Sequence, residues 1–191
     1  MEWRSEAAQD RSRVLRCFAG ADRASSATLT AQFENDTWLE ASSWNGYCAT
    51  LAGEAASLGH ESCLRVLHEL GGDAAASLVA AAAGGTTPLL LACQKGRTEV
   101  VSLLLKAGVA VDRCNAAGVT PLYVACQQGH IPCAQQLSSY GAARSFQLPP
   151  PSNTTISVSG AAARGGYDAL VAWLATSSQW STALHHLTVI D

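Results

Sequence analysis

The stretch TPLLLACQKGRTEVVSLLLKAG at residues 87–108 returns in altered form as TPLYVACQQGHIPCAQQLSSYG at residues 120–141. The copies begin 33 residues apart and share nine of 22 positions: Thr, Pro, Leu, Ala, Cys, Gln, Gly, Leu and Gly. A repeat of this length constrains the fold more than any other feature of the chain. Each copy is too small to bury an apolar face alone, so neighbouring copies must stack and complete one another's core.

The shared residues have definable tasks. Thr87 and Thr120 stand where an N-cap hydroxyl accepts from an otherwise unpaired backbone N–H. Pro88 and Pro121 follow at the first helical position, where a missing N–H costs nothing. A helix of about two turns is expected after each proline, stopping at Gly96 and Gly129, since glycine tolerates the left-handed backbone that ends a helix. A second helix begins at once, carrying Val100, Val101, Leu103, Leu104 and Leu105 in the first copy, and ends at Gly108 or Gly141. Pro132 falls in the first turn of its helix and does not oppose this reading.

These residues resemble the ankyrin repeat, whose first helix opens with Thr-Pro-Leu-His and whose inter-helix turn reads Gly-His. Leu90 and Tyr123 stand here in place of the usual histidine. The resemblance implies an all-α solenoid of stacked antiparallel helix pairs with long turns between repeats.

Weaker copies extend the pattern. Moving back 37 residues places a unit at 50–72, where Thr50, Ala55, Gly59, His60, Leu67 and Gly71 fit and Leu51 replaces the proline. The extra residues fall in the alanine-rich connection between Asp73 and Gly84. A unit at 156–175 keeps Val158, Ala161, Gly165, Leu170 and Leu174 but lacks the Thr-Pro cap, and 182–191 reads as a partial fifth. The Leu184/Leu187/Ile190 stripe there lacks a partner helix, which suggests a chain cut from something longer, with a last helix that serves as the C-terminal cap as the alternative. Residues 47–191 are thus expected to form the repeat domain. Residues 1–46, with three of the five tryptophans, are read as a cap or divergent helical segment, with a docking arm as the alternative. The stretch Gln147–Ser159, with three successive prolines, is expected to be a stiff surface loop.

Composition narrows the function. Only 14% of the 191 residues are charged, well below the ordinary share, and the formal charge of −3 argues against nucleic acid or anionic lipid as a partner, since both need a basic face. No run approaches the roughly 20 apolar residues needed to span a bilayer, and the polar start lacks a signal core, so a soluble cytoplasmic protein is expected. The seven cysteines form neither a CxxC pair nor a Cys/His quartet and read as core-filling thiols, with no metal or other cofactor expected. His185 and His186 are adjacent and diverge by about 100° on a helix, so they cannot share a metal. His60 and His130 follow the inter-helix glycine in matched places, which argues for a role in the fold. Gly84-Gly85-Thr86-Thr87 lacks the lysine of a phosphate loop. Nothing points to an enzyme or to a small-molecule substrate.

The resemblance implies protein–protein recognition, with the turn tips as fingers and the first helices as a concave palm. Carried across position by position, the palm column runs Glu54, Leu91, Val124, Gly160 and His186. Beside it run Ser57/Leu58, Gln94/Lys95, Gln127/Gln128 and Ala163/Arg164, while Thr86, Arg113, Cys114, Ala117 and Val119 fall at finger tips. An apolar centre of Leu91 and Val124 with a polar rim of Gln94, Lys95, Gln127 and Gln128 has the makeup of a protein interface. The competing reading has Leu91 and Val124 pack against the bases of the fingers. An adaptor or scaffold module binding an unidentified protein partner is therefore expected; the alternative is a structural or regulatory spacer in a larger chain.

Overall fold

A computed structural model describes residues 51–71, 75–80, 85–147 and 155–177. The expectations for residues 1–46, the triple proline and 182–191 lie outside these residues. Eight helices are described: α1 over 51–58, α2 (Glu61–Leu70), α3 (Pro88–Gln94) and α4 (Thr98–Lys106). They continue with α5 (Pro121–Gln128), α6 (Ile131–Ser139), α7 (Val158–Arg164) and α8 (Asp168–Ser177).

The packing is that of a solenoid. Odd-numbered helices form one layer, α3 against α5 and α5 against α7. On the other side α2 packs against α4 and α4 against α6, and the second, third and fourth pairs each close on themselves. One continuous core runs between the layers, with Leu64, Leu67, Leu89, Leu104, Leu122, Leu137 and Leu170 wholly enclosed. Alanine at 55, 92, 125 and 162 recurs in it, and so small a side chain lets paired helices approach closely.

The caps work as the sequence suggests. Thr87 and Thr120 hold extended backbone, and their hydroxyls accept from the Leu90 and Tyr123 amides at 3.2 and 3.3 Å. Both threonines are buried, so an unmade cap there would strand a desolvated N–H.

The fourth unit sits one residue out of the expected register. The amide just after the inter-helix turn returns to an alanine carbonyl in every unit: His60 to Ala55, Arg97 to Ala92, His130 to Ala125, Tyr167 to Ala162. Ala162 therefore corresponds to Ala125, which makes Ala161, and not Gly160, the counterpart of Val124. The cause is a pair of adjacent glycines. Gly166, at φ 75°, takes the left-handed place that Gly129 holds in the third unit at the same angle, while Gly165 stays right-handed at φ −79°. Ser157 occupies the cap position with extended backbone but makes no side-chain capping bond.

Two connections also differ from expectation. The connection after the first unit contains a helical turn within 75–80, and Leu78 drops into the core at 1% exposure. The ends of the predicted loop at 147–159 are ordered instead: β1 (Ser145–Gln147) pairs antiparallel with β2 (Thr155–Ser157), Phe146 opposite Ile156, and α7 starts at Val158. The β-branched Thr155 and Ile156 favour that pairing.

Candidate functional site

Along the first helices the polar positions predicted for a partner are open. Glu54, Gln94, Lys95, Gln127 and Gln128 are exposed, and Leu58 and Leu91 are half-buried. The centre differs from expectation. Val124 is only 6% exposed, and Leu91 leans over the first unit, its Cδ1 within 3.3 Å of where a Cβ on Gly53 would stand. The strip is thus carboxamide and cationic, with little open apolar surface at its middle. The register shift moves the last members too: Arg164 takes the place of Gln127 and Gln94, and Gly165 that of Gln128 and Lys95.

The finger residues are partly engaged with each other. Arg113 is exposed, but its Nη1 donates to the Val79 carbonyl of the preceding connection at 3.0 Å. The Ala143 amide donates to Asp112 at 2.9 Å, tying the next finger on. Asn115 shapes the tip, its Oδ1 accepting from the amides of Ala117 and Val119 at 3.0 Å each. Thr86 and Val119 are half-buried beside these turns.

Two further devices hold the strip in place. At the second, third and fourth inter-helix turns a large side chain reaches back over the glycine of the unit before. Arg97 covers Gly59 and donates from Nε to the Ser57 carbonyl at 3.1 Å. His130 covers Gly96, a ring nitrogen donating to the Gln94 carbonyl at 3.3 Å. Tyr167 covers Gly129, where an added Cβ would stand 2.4 Å from the ring. Of the two histidines read as part of the fold, His130 makes such a contact.

The second device is Arg144, which the sequence reading passed over. Its guanidinium donates to the carbonyls of Leu174 (2.7 Å) and Ser177 (3.3 Å) and to the hydroxyls of Ser138 (3.0 Å) and Ser177 (2.9 Å). It also lies over the Trp173 ring, 5.7 Å from its centroid. A cation at the C-terminal end of α8 meets the negative end of the helix dipole. Partial burial lowers its pKa below the ordinary arginine value, although the Cys126 thiol nearby opposes this. A trace was present in the sequence, since the first copy has apolar Val111 at this position.

Three of the thiols, Cys93, Cys126 and Cys133, are buried in the core. Burial pushes Cys126 up to about 12 and raises Cys93 and Cys133 as well, so all three are neutral near pH 7. Among the described residues no three His, Cys, Asp or Glu side chains converge as metal ligands would, and no helix is long and apolar enough to cross a membrane. On the opposite side a groove of about 520 Å³ runs between α2 and α4, lined by Glu61, Arg65, Glu69, Glu99 and Lys106 among others. Its charges are mixed, and Arg65 is already paired with Glu61.

The model for ankyrin repeats in three copies matches residues 33–145, more than half of the chain. The chain belongs to the ankyrin repeat family. The match begins ahead of residue 47, where the repeat domain was expected to start, and stops before the fourth helix pair. That pair packs on the third all the same, α7 against α5, with its own return bond to an alanine and its leucines in the common core. No curated protein matches the sequence. Ankyrin repeats are generally protein–protein interaction modules and generally non-catalytic.

Proposed function

We propose that this chain is a non-catalytic recognition module, an adaptor or scaffold of the cytoplasm, that binds a partner protein across the palm of its ankyrin stack. The observation that carries the reading is the open strip of Glu54, Gln94, Lys95, Gln127 and Gln128 on a backbone fixed by caps, reach-back side chains and Arg144. Side chains on a rigid support lose little further freedom on binding, which favours affinity. The finger residues Thr86, Arg113 and Val119 would border the partner, and Leu58, Leu91 and Val124 would mainly support the strip from beneath.

Cross-linking in a cell lysate, with mass-spectrometric mapping of the linked residues, tests this. Wild-type protein should form links at Lys95, and the exposed-site variant Gln94→Trp/Gln127→Trp should lose them while keeping its circular dichroism. A companion variant of the opposite groove, Glu69→Lys/Lys106→Glu, should leave them intact. Links lost only in the companion would move the binding face to the groove and defeat the palm.

A further inference from the structure

We infer that the palm takes an extended, acidic peptide segment laid across the units, with two carboxylates about six residues apart meeting Lys95 and Arg164. The inference rests on the palm reading above and adds the chemistry of the occupant.

Charge is the first argument. The chain as a whole is acidic, with a formal charge of −3, yet this strip is not. The exposed cations Lys95, Arg97 and Arg164 stand on it or at its turns, against a single carboxylate on the first helices, Glu54 of α1. Glu99 and Asp168 lie beyond the turns, in the first turns of α4 and α8. Among the described residues Lys95 has no ion-pair partner. Arg164 donates to the Tyr123 hydroxyl at 3.1 Å, a neutral acceptor that positions the guanidinium without cancelling its charge. Arg97 is held by a backbone carbonyl, again without a counter-charge.

Spacing is the second. Packed helices lie about 8–10 Å apart, and an extended chain advances about 3.3 Å per residue. One step along the stack therefore matches about three residues of a strand. Lys95 and Arg164 belong to units two steps apart, so carboxylates about six residues apart would reach both. Gln127 and Gln128 of the intervening unit stand between them and Gln94 stands beside Lys95, all exposed. A carboxamide both donates and accepts, which suits the unpaired N–H and C=O groups of an extended backbone. A helical partner would already have satisfied those groups internally.

The test is selection of random 12-residue peptides displayed on phage against the full chain, counter-selected on the Gln94→Trp/Gln127→Trp variant. Synthetic fluorescein-labelled versions of the selected peptides are then measured by anisotropy. The expected winners carry Asp or Glu about six positions apart. They should bind Lys95→Glu/Arg164→Glu about tenfold or more weakly, weaken with added salt, and recover on that variant when their acids are changed to lysine. Winners that need the glutamines but show no acidic bias and ignore the charge reversal would overturn the inference and leave the palm reading standing. If no peptide distinguishes wild type from the tryptophan variant, the inference is overturned, and cross-linking alone decides the palm. A labelled single-stranded oligonucleotide that binds the strip in preference to acidic peptides would overturn it too.

Discussion

The third and fourth helix pairs stand side by side and are held by different means. The third has its threonine cap, its proline and one glycine in the turn, all within its own stretch of chain. The fourth has a serine that makes no capping bond and no proline at its start. It is kept in place by side chains from its neighbour: Arg144 from the finger before it, and the Tyr123 hydroxyl that receives Arg164. Tyr123 also meets Phe146 of β1 edge to face, with ring centroids 5.4 Å apart. A repeat that loses its local signals can thus keep its place through tertiary contacts, at the cost of depending on single residues.

The sharpest way to break this contrast is at the contact between the two pairs. Gly129→Val would force a branched side chain into φ 75° and into the Tyr167 ring, and should cost about 4 kcal/mol in urea unfolding. Gly166→Ala has the same φ but nothing within 4 Å, and should cost only about 1 kcal/mol. Equal losses would show that the tyrosine contact contributes nothing. Arg144→Met should cost about 2 kcal/mol, the scale of hydrogen bonds to a charged group, and should do so locally. Hydrogen exchange ought to accelerate in α8 and leave α3 to α6 unchanged; uniform acceleration would mean that the fourth pair is not separately held.

Alkaline pH should act on the other side of the comparison. Cys126 rises in the folded chain from 9.0 to about 12, so the folded state keeps its proton where the unfolded state loses it. The stability this contributes is whole below pH 9 and drains away as pH climbs towards 12. Cys93 and Cys133, raised in the same direction, sit in the second and third pairs. Those pairs should weaken above pH 9, and Cys126→Ala should flatten the pH dependence of the urea midpoint. The smallest effect separates the two caps: Thr120→Ala should lose about 1 kcal/mol, and Ser157→Ala almost nothing.

What the sequence revealed and what it hid follow from the range of the forces involved. Caps, helix stops and the apolar faces of α3 to α6 are local, and Thr-Pro starts with glycine stops mark them directly. The register of the fourth unit was misread because Gly165 and Gly166 are both able to end a helix, and only the return bond from Tyr167 to Ala162 decides between them. The grip of Arg144 joins residues 30 and 33 positions apart, beyond anything periodicity can reveal. At the candidate site the exposed carboxamides and Lys95 were legible from repeat position. For Val124 repeat position left two readings, an open apolar centre or packing against the fingers, and its 6% exposure favours the second.

The three reach-back side chains all point the same way along the chain: Arg97 over the first unit, His130 over the second, Tyr167 over the third. Each of the first three units is overlapped by the one that follows it, as roof tiles overlap from the eave upward. Such a stack has a direction of wear. Removing the last tile uncovers the one beneath it, whereas removing the first leaves every later overlap intact. Shortening the protein from its C-terminal side should therefore loosen the turn left exposed, and shortening from the other side should spare the turns that remain.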